Sequence, residues 1–298
     1  VRQAWLTLGT LTMPLEDVGS GYFCAELDLG YPVVREVIAN KPDQNGADDQ
    51  TQFLGPRTVS AALTALSGAG AQIDAVATAF SPFMVPSARP VLHYVLDRPG
   101  APERTMNLRP SGYSWPIVGP FQRDIQLQWV CADPDAKDPN QHTVVAFAGS
   151  SVSPGRVYSR TYPLVYPVGG NSPTTGIISP AGDLPIRPKL LIWGPVTYPT
   201  VRFYPQGAGQ SPQTRIYFHT WFTVGAGHYV EVDCYDKTAW LDGDRNQPVM
   251  TALDWQSSTW PVINPVPPAA AGVSMTMTGT STSSITQVQA VWNDRYLL

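Results

Sequence analysis

The chain has 298 residues, of which 43% are hydrophobic and 14% charged, with a formal net charge of −4; charge this sparse, against roughly 25% in ordinary soluble domains, leaves surface to be buried against other chains or covered by Ser, Thr and Gln. No block of like charges or basic face is present to contact nucleic-acid phosphates, and no apolar run reaches the ~18 residues of a bilayer-spanning helix, so neither direct nucleic-acid binding nor membrane insertion is expected. Three widely spaced cysteines, Cys24, Cys131 and Cys234, do not make a disulfide framework or a CxxC zinc pair and read as buried free thiols. The opening VRQAWLTLGTL lacks a positive region ahead of an apolar core and does not read as a secretory signal.

The 30 prolines and 25 glycines punctuate short apolar runs, the pattern of many short strands joined by turns. Trp5–Leu11 alternates weakly as an opening strand. Phe23–Leu29 and Val33–Ala39 read as two more, separated by Gly30-Tyr31-Pro32. Asn40–Gln52 is polar and carries Asn45-Gly46, which fits either a long hairpin tip or an irregular connection. Thr58–Leu66 alternates like a strand but is as rich in Ala and Leu as a helix. In 71–80, Ile73, Val76, Ala77 and Phe80 fall on one helical face, and Ser81-Pro82 is expected to end that helix. Pro90–Leu96, Arg104–Leu108 and Phe121–Ala132 read as strands, the last with Ile125, Leu127, Trp129 and Cys131 on one face. Val144–Pro163 supplies further strand. Val168–Pro185, rich in Gly, Pro, Ser and Thr, is the best linker, which places a domain boundary near residue 170. From Ile186 onward the chain reads as short strands, with a Ser/Thr-rich hairpin at Ala269–Ser284.

Chemistry-bearing patterns are sparse. Asp242-Gly243-Asp244, with Asp233 and Asp236 nearby in sequence, could offer oxygen ligands to calcium, but the spacing lacks the closing Glu of an EF-hand and an Asp-Gly hairpin turn explains it. There is no GxSxG elbow and no HExxH helix, and the four histidines show no convergent acid-base set. His93 reads as a sheet residue, His142 as a turn residue and His219 as a strand residue. No catalytic, cofactor or metal residue is therefore assigned. Trp255 and Trp260, with Ser257, Ser258 and Thr259 between them, form a candidate exposed aromatic loop, a sugar platform or else core or interface.

From GDLPIRPKLLIWG (182–194) through GHYVEVDCYDKTAWLDG (227–243), Trp255 and Trp260, to the closing VQAVWNDRY (288–296), the order of elements resembles the C-terminal domain of distal tail proteins from siphovirus-like bacteriophages. The first half fits the same family less specifically: Gly55-Pro56-Arg57 leads into strand 58–66, then helix 71–80, then a strand ending in Asp133-Pro134. The resemblance implies a mainly β chain: an N-terminal split β-sandwich with one short helix (1–170), which forms the ring, and a C-terminal galectin-like β-sandwich (171–298). It implies a virion part at the phage tail tip, made in the host cytoplasm and without a cofactor. That part would be a hexameric ring of this chain that joins the tail tube protein to the tail-tip hub, with tape-measure and receptor-binding proteins as further partners.

In that family a hairpin arm embraces the neighbouring subunit, which makes Asn40, Asp43, Asn45, Gly46, Asp48 and Asp49 the candidate arm here. The galectin sugar-reading set is missing, because no Trp has a Glu three residues on and His219 and His228 lack an Asn-Pro-Arg companion. The alternative readings are a carbohydrate-binding module for a host-surface glycan and an unrelated secreted hydrolase.

Overall fold

A computed structural model of the chain describes residues 3–35, 38–40, 47–49, 53–66, 70–119, 121–148, 174–205, 214–267 and 272–297. Among them the fold is mainly β, built from antiparallel sheets with one α-helix, Gly70–Met84. Contacts divide the chain into two units, Val1–Pro139 with Tyr296–Leu298, and Asn140–Arg295. The second unit thus begins well before the Val168–Pro185 stretch where composition puts the boundary. Strand His142–Phe147 pairs with Gln287–Trp292 in unbroken register, from His142↔Trp292 to Phe147↔Gln287. A Gly/Pro-rich run marks a break in the strand pattern, whereas a unit boundary depends on which sheet each strand joins. The first part of that run, 168–173, and residues 149–163 of the expected Val144–Pro163 strand lie outside the described residues.

The first unit has two large sheets, besides two short two-stranded pairs. One orders Leu11–Pro14, Gln3–Leu8, Val91–Val95, Glu103–Asn107, Ala136–Lys137 and Arg295–Tyr296; the other orders Arg109–Ser114, Gln122–Cys131, Arg57–Leu66 and Tyr22–Asp28, with Ile117–Gly119 also on Gln122–Cys131. Arg57–Leu66 and Gln122–Cys131 pair along their full length, and Val59, Ala61, Leu63 and Ala65 are buried with Ile125, Leu127, Trp129 and Cys131. That two-residue period settles 58–66 as a strand: long-range pairing overrides the helical preference of Ala and Leu. Leu6, Leu92, Tyr94 and Met106 of the first sheet and Ala77, Phe80 and Phe83 of the helix join the same core.

The helix runs past Ser81-Pro82 to Met84, where the sequence pattern ended it. Pro82 costs one helical hydrogen bond, but Phe83 is buried in the core, and burial worth roughly 1.5–3 kcal/mol offsets much of that cost. Arg109–Ser114 is a strand the sequence did not announce. It carries Pro110 and a register shift to Gly112 and lies at the sheet edge, where a missing N–H is tolerated.

The second unit is also two sheets. One orders His142–Phe147, Gln287–Trp292, Lys189–Trp193, Tyr229–Asp233 and Thr238–Leu241; the other orders Gly176–Ile178, Val273–Thr280, Val196–Pro205 and Thr214–Tyr217, with Thr223–Val224 on Val196–Pro205. Leu190, Ile192, Val230, Val232, Val288 and Ala290 of the first and Val201, Phe203, Ile216, Met275 and Met277 of the second form one core, which makes this unit a sandwich. The KLLIW run is the central strand of its sheet. The expected Ser/Thr-rich hairpin is instead a single strand, Val273–Thr280. Ser281 turns it at φ 56, Thr286 Oγ1 donates to Pro195 O at 2.7 Å, and the chain passes into the other sheet as Gln287–Trp292.

Candidate functional site

Between Tyr22–Asp28 and Arg57–Leu66 the chain makes a hairpin ribbon. Val34–Arg35 pairs with Phe53–Leu54, and Ile38–Asn40 with Ala47–Asp49 in the register Ile38↔Asp49, Ala39↔Asp48 and Asn40↔Ala47. Asn40, Asp48 and Asp49 thus lie on its two strands; Asp43, Asn45 and Gly46 lie outside the described residues. Local chemistry directs this excursion. Gly30 sits at φ +62, and a Cβ there would fall 2.0 Å from Thr58 O, so glycine is required where the chain leaves the sheet. Asp28 Oδ1 accepts the Gly30 N–H at 2.8 Å, and Gly55 N donates to Val33 O at 2.6 Å to close the base. Among the described residues the ribbon strands pair with no strand but each other.

A second surface has no sequence signal. Ile117 (72% exposed), Phe121 (58%) and Leu66 (48%) gather around Gln122 at one end of a first-unit sheet. Gln122 is the register partner of Leu66 on one side and Gly119 on the other. Val118 and Trp115 on the same edge are also exposed. Alternation counted from Ile125 would place Phe121 in the core. The strand starts at Gln122 instead, which leaves Phe121 in the turn.

In the second unit the structure brings Trp255 and Trp260 together, with ring centroids 5.6 Å apart. Trp260 packs partly against the core, while Trp255 is half exposed and donates its indole N–H to Met250 O at 3.2 Å. Asp254 shapes this loop. Its Oδ1 accepts from Gln256 N and Ser257 N, and the Ser257 hydrogen bonds hold its carboxyl below the usual range.

Several polar groups elsewhere serve structure. Thr7 Oγ1, His93 Nε2 (3.0 Å) and His93 Nδ1, Glu103 Oε1 (2.7 Å) repeat the spacings of a nucleophile, base and orienter. Thr7, however, lies mid-sheet between Thr12 and Val91, so the ladder takes the backbone N–H groups that an oxyanion would need. The other three histidines belong to the second unit. His142 opens a strand and stacks on Trp292, His219 stacks on Trp221, and His228 contacts Asp242 at 2.6 Å.

The Asp242-Gly243-Asp244 segment is a turn, with Asp242 at φ 50 and Gly243 at φ 68. Asp242 accepts from Tyr229 N and Asp244 from Asn246 N, and those backbone bonds lead the causes that lower both carboxyls. Asp233 Oδ1 accepts from Tyr235 N and Asp236 N. Burial pushes the Cys131 thiol up to about 11 and the Cys234 thiol well above its ordinary value, so neither is a ready nucleophile.

No family model matches the sequence, and no curated protein matches it. Among solved structures, the crystal structure of the SPP1 Dit protein, described as a paradigm of the hub adsorption apparatus in Gram-positive-infecting phages, aligns over 98% of this chain and 98% of its own, with 12% identity and a TM-score of 0.59. Two structures of the phage P2 baseplate in its activated conformation also align, one with Ca over 99% of this chain and 98% of that chain, one with Sr over 98% of each. Their identities are 13% and 14% and their TM-scores 0.48 and 0.47. At 12% identity what SPP1 Dit and this chain share is the fold, and it is shared along both units: this chain has the fold of a phage hub protein of the Dit kind.

Proposed function

We propose that this chain is a structural protein of a long-tailed bacteriophage virion, a distal tail protein of the tail tip that works by assembly rather than by chemistry. The alignment with SPP1 Dit along 98% of both chains carries the reading, and the motif order from Gly55-Pro56-Arg57 to VQAVWNDRY agrees with it. In this reading six copies close a ring through the first unit and join the tail tube to the tip hub. The second, galectin-like unit projects outward to carry tip or receptor-binding proteins, and DNA passes through a lumen whose acidic balance does not retain it.

The ribbon from Val34 to Leu54 supports the arm assignment. A two-stranded hairpin is marginal in water by itself, so a neighbouring subunit is the natural source of its order. The exposed apolar end around Ile117, Phe121 and Leu66 is a second surface for a neighbour to cover. Heterologous contacts of this sort close when the rotation between copies is fixed.

Light scattering and negative-stain electron microscopy of the purified chain test the proposal, with a closed ring as the expected image. A strictly monomeric chain at high concentration, with no ring even beside tail-tube protein, would sink it.

A further inference from the structure

The five strands of the Val196–Pro205 sheet carry two charged residues, Arg202 and Arg215. They are direct register partners, and Thr276 stands opposite Arg202 on its other side. Directly opposed side chains share a face, about 4.5–5.5 Å apart at Cβ. That face points away from the core, because the intervening Val201, Phe203, Ile216, Met275 and Met277 are the buried ones. Above and below the arginine row lie Tyr204↔Ser274 on one side and Tyr217 and Thr278 on the other, with the buried Thr200 between those two.

Like charges directly opposite each other cost stability unless a counter-charge joins them. Among the described residues no carboxylate is ion-paired with either arginine. Residues 149–173, 206–213 and 268–271 contain no Asp or Glu. Asp254, on the segment bridged to the Thr214–Tyr217 edge, is taken up by its own turn. The sheet's acidic counterparts lie elsewhere: Glu231 pairs with Lys189 and Arg245 on the opposite sheet. Arg215 is also oriented, its guanidinium 5.1 Å from the Tyr217 ring centroid.

From this juxtaposition we infer that the face binds an oxyanion borne on a polyhydroxylated chain, an acidic polysaccharide. The two guanidinium groups bridge its carboxylate or phosphate, and the flanking Ser, Thr and Tyr hydroxyls bond its hydroxyls. A hydroxyl-lined surface suits a polyol better than an apolar anchor. The inference does not rest on ring formation, and it concerns a surface distinct from the Trp255–Trp260 loop.

The test uses the full chain and isothermal titration at two salt concentrations with four probes: polygalacturonate for uronate, dextran phosphate for phosphate, neutral dextran, and poly-glutamate as an acidic peptide. Binding of one or both anionic polysaccharides is expected, weakened by salt and by about tenfold in each of Arg202→Ala and Arg215→Ala. Both variants should melt at or above the parent temperature, since repulsion is removed, so lost binding with intact melting is diagnostic. Equal binding of neutral dextran, stronger binding of poly-glutamate, or no binding of either anionic polysaccharide would overturn the assignment.

Discussion

Arg57 is 1% exposed, and its Nη2 donates to Pro134 O and, at 2.8 Å, to Leu297 O. One guanidinium therefore ties the start of a central strand to the turn after its neighbour and to the last segment of the first unit. Arg57→Met keeps the stem volume and removes both bonds. Two part-buried carbonyls left unpaired cost up to about 1–3 kcal/mol each, and relief of a buried charge returns part of that. We expect a net loss of about 3 kcal/mol. At roughly 3–4 °C per kcal/mol for a domain of this size, the first-unit transition should fall by roughly 10 °C. Differential scanning calorimetry of the full chain reads it directly. A fall of less than about 2 °C would refute the reasoning, because it would mean that water satisfies those carbonyls and that the Leu297 segment is held by something else.

Deletion of Asp43–Asp49 should weaken the ring while each subunit stays folded; a ring unchanged in light scattering would discard the arm assignment alone. A fragment 140–295 should melt cooperatively by circular dichroism, whereas a fragment starting at 171 lacks the His142–Phe147 edge strand and should melt lower or aggregate; equal melting of the two would remove that boundary. Asp242, lowered first by the Tyr229 N–H and then by His228, contributes stability above its unfolded value of 3.8 that is lost as pH falls through its lower folded value. Asp242→Asn should accordingly lower the melting temperature at pH 7 and bring it closer to the parent near pH 2, and neither calcium nor chelator should move the parent, because the Asp242–Asp244 turn uses its carboxylates internally; a rise of several degrees with calcium that Asp244→Ala abolishes would show a bound ion. β-Galactosides should not bind, and glycan-array signals lost in Trp255→Ala or Trp260→Ala would overturn that.

What the sequence made legible depended on how local the signal was. The strand Gln122–Cys131 and its inward face, Ile125, Leu127, Trp129 and Cys131, followed from alternation alone, and the KLLIW strand from its apolar run. Residues 58–66 stayed open between two states until their partner was known, because their Ala and Leu content speaks for a helix while their alternation speaks for a strand. The edge strand at Pro110 was invisible, since proline signals a break and the sheet edge that excuses it is a tertiary fact. The same limit hid the opposed arginines. Arg202 and Arg215 are well separated in sequence, and a single register position puts them face to face. The ribbon was half visible: the polar run with Asn45-Gly46 left a hairpin tip and an irregular connection both open, while the pairing at the base required Gly30 and Gly55 to be seen against Thr58 and Val33.

The chain leaves the first unit at Pro139 and returns to it at Tyr296. During synthesis at roughly 5–20 residues per second, the second unit emerges whole before Tyr296 exists to stack on Arg104, 4.1 Å from its ring centroid, or Leu297 to accept from Arg57. The first-unit contacts of Tyr296 and Leu297 can then form only after the second unit has been made. If the first unit is the one that docks to its copies, half-made chains are barred from joining, and the order of translation acts as a proofreading step for assembly. The entry and exit of the second unit are also stitched together, Asn293 Nδ2 donating to Asn140 O at 3.2 Å, which is the geometry that lets one module be exchanged for another without rewriting its host.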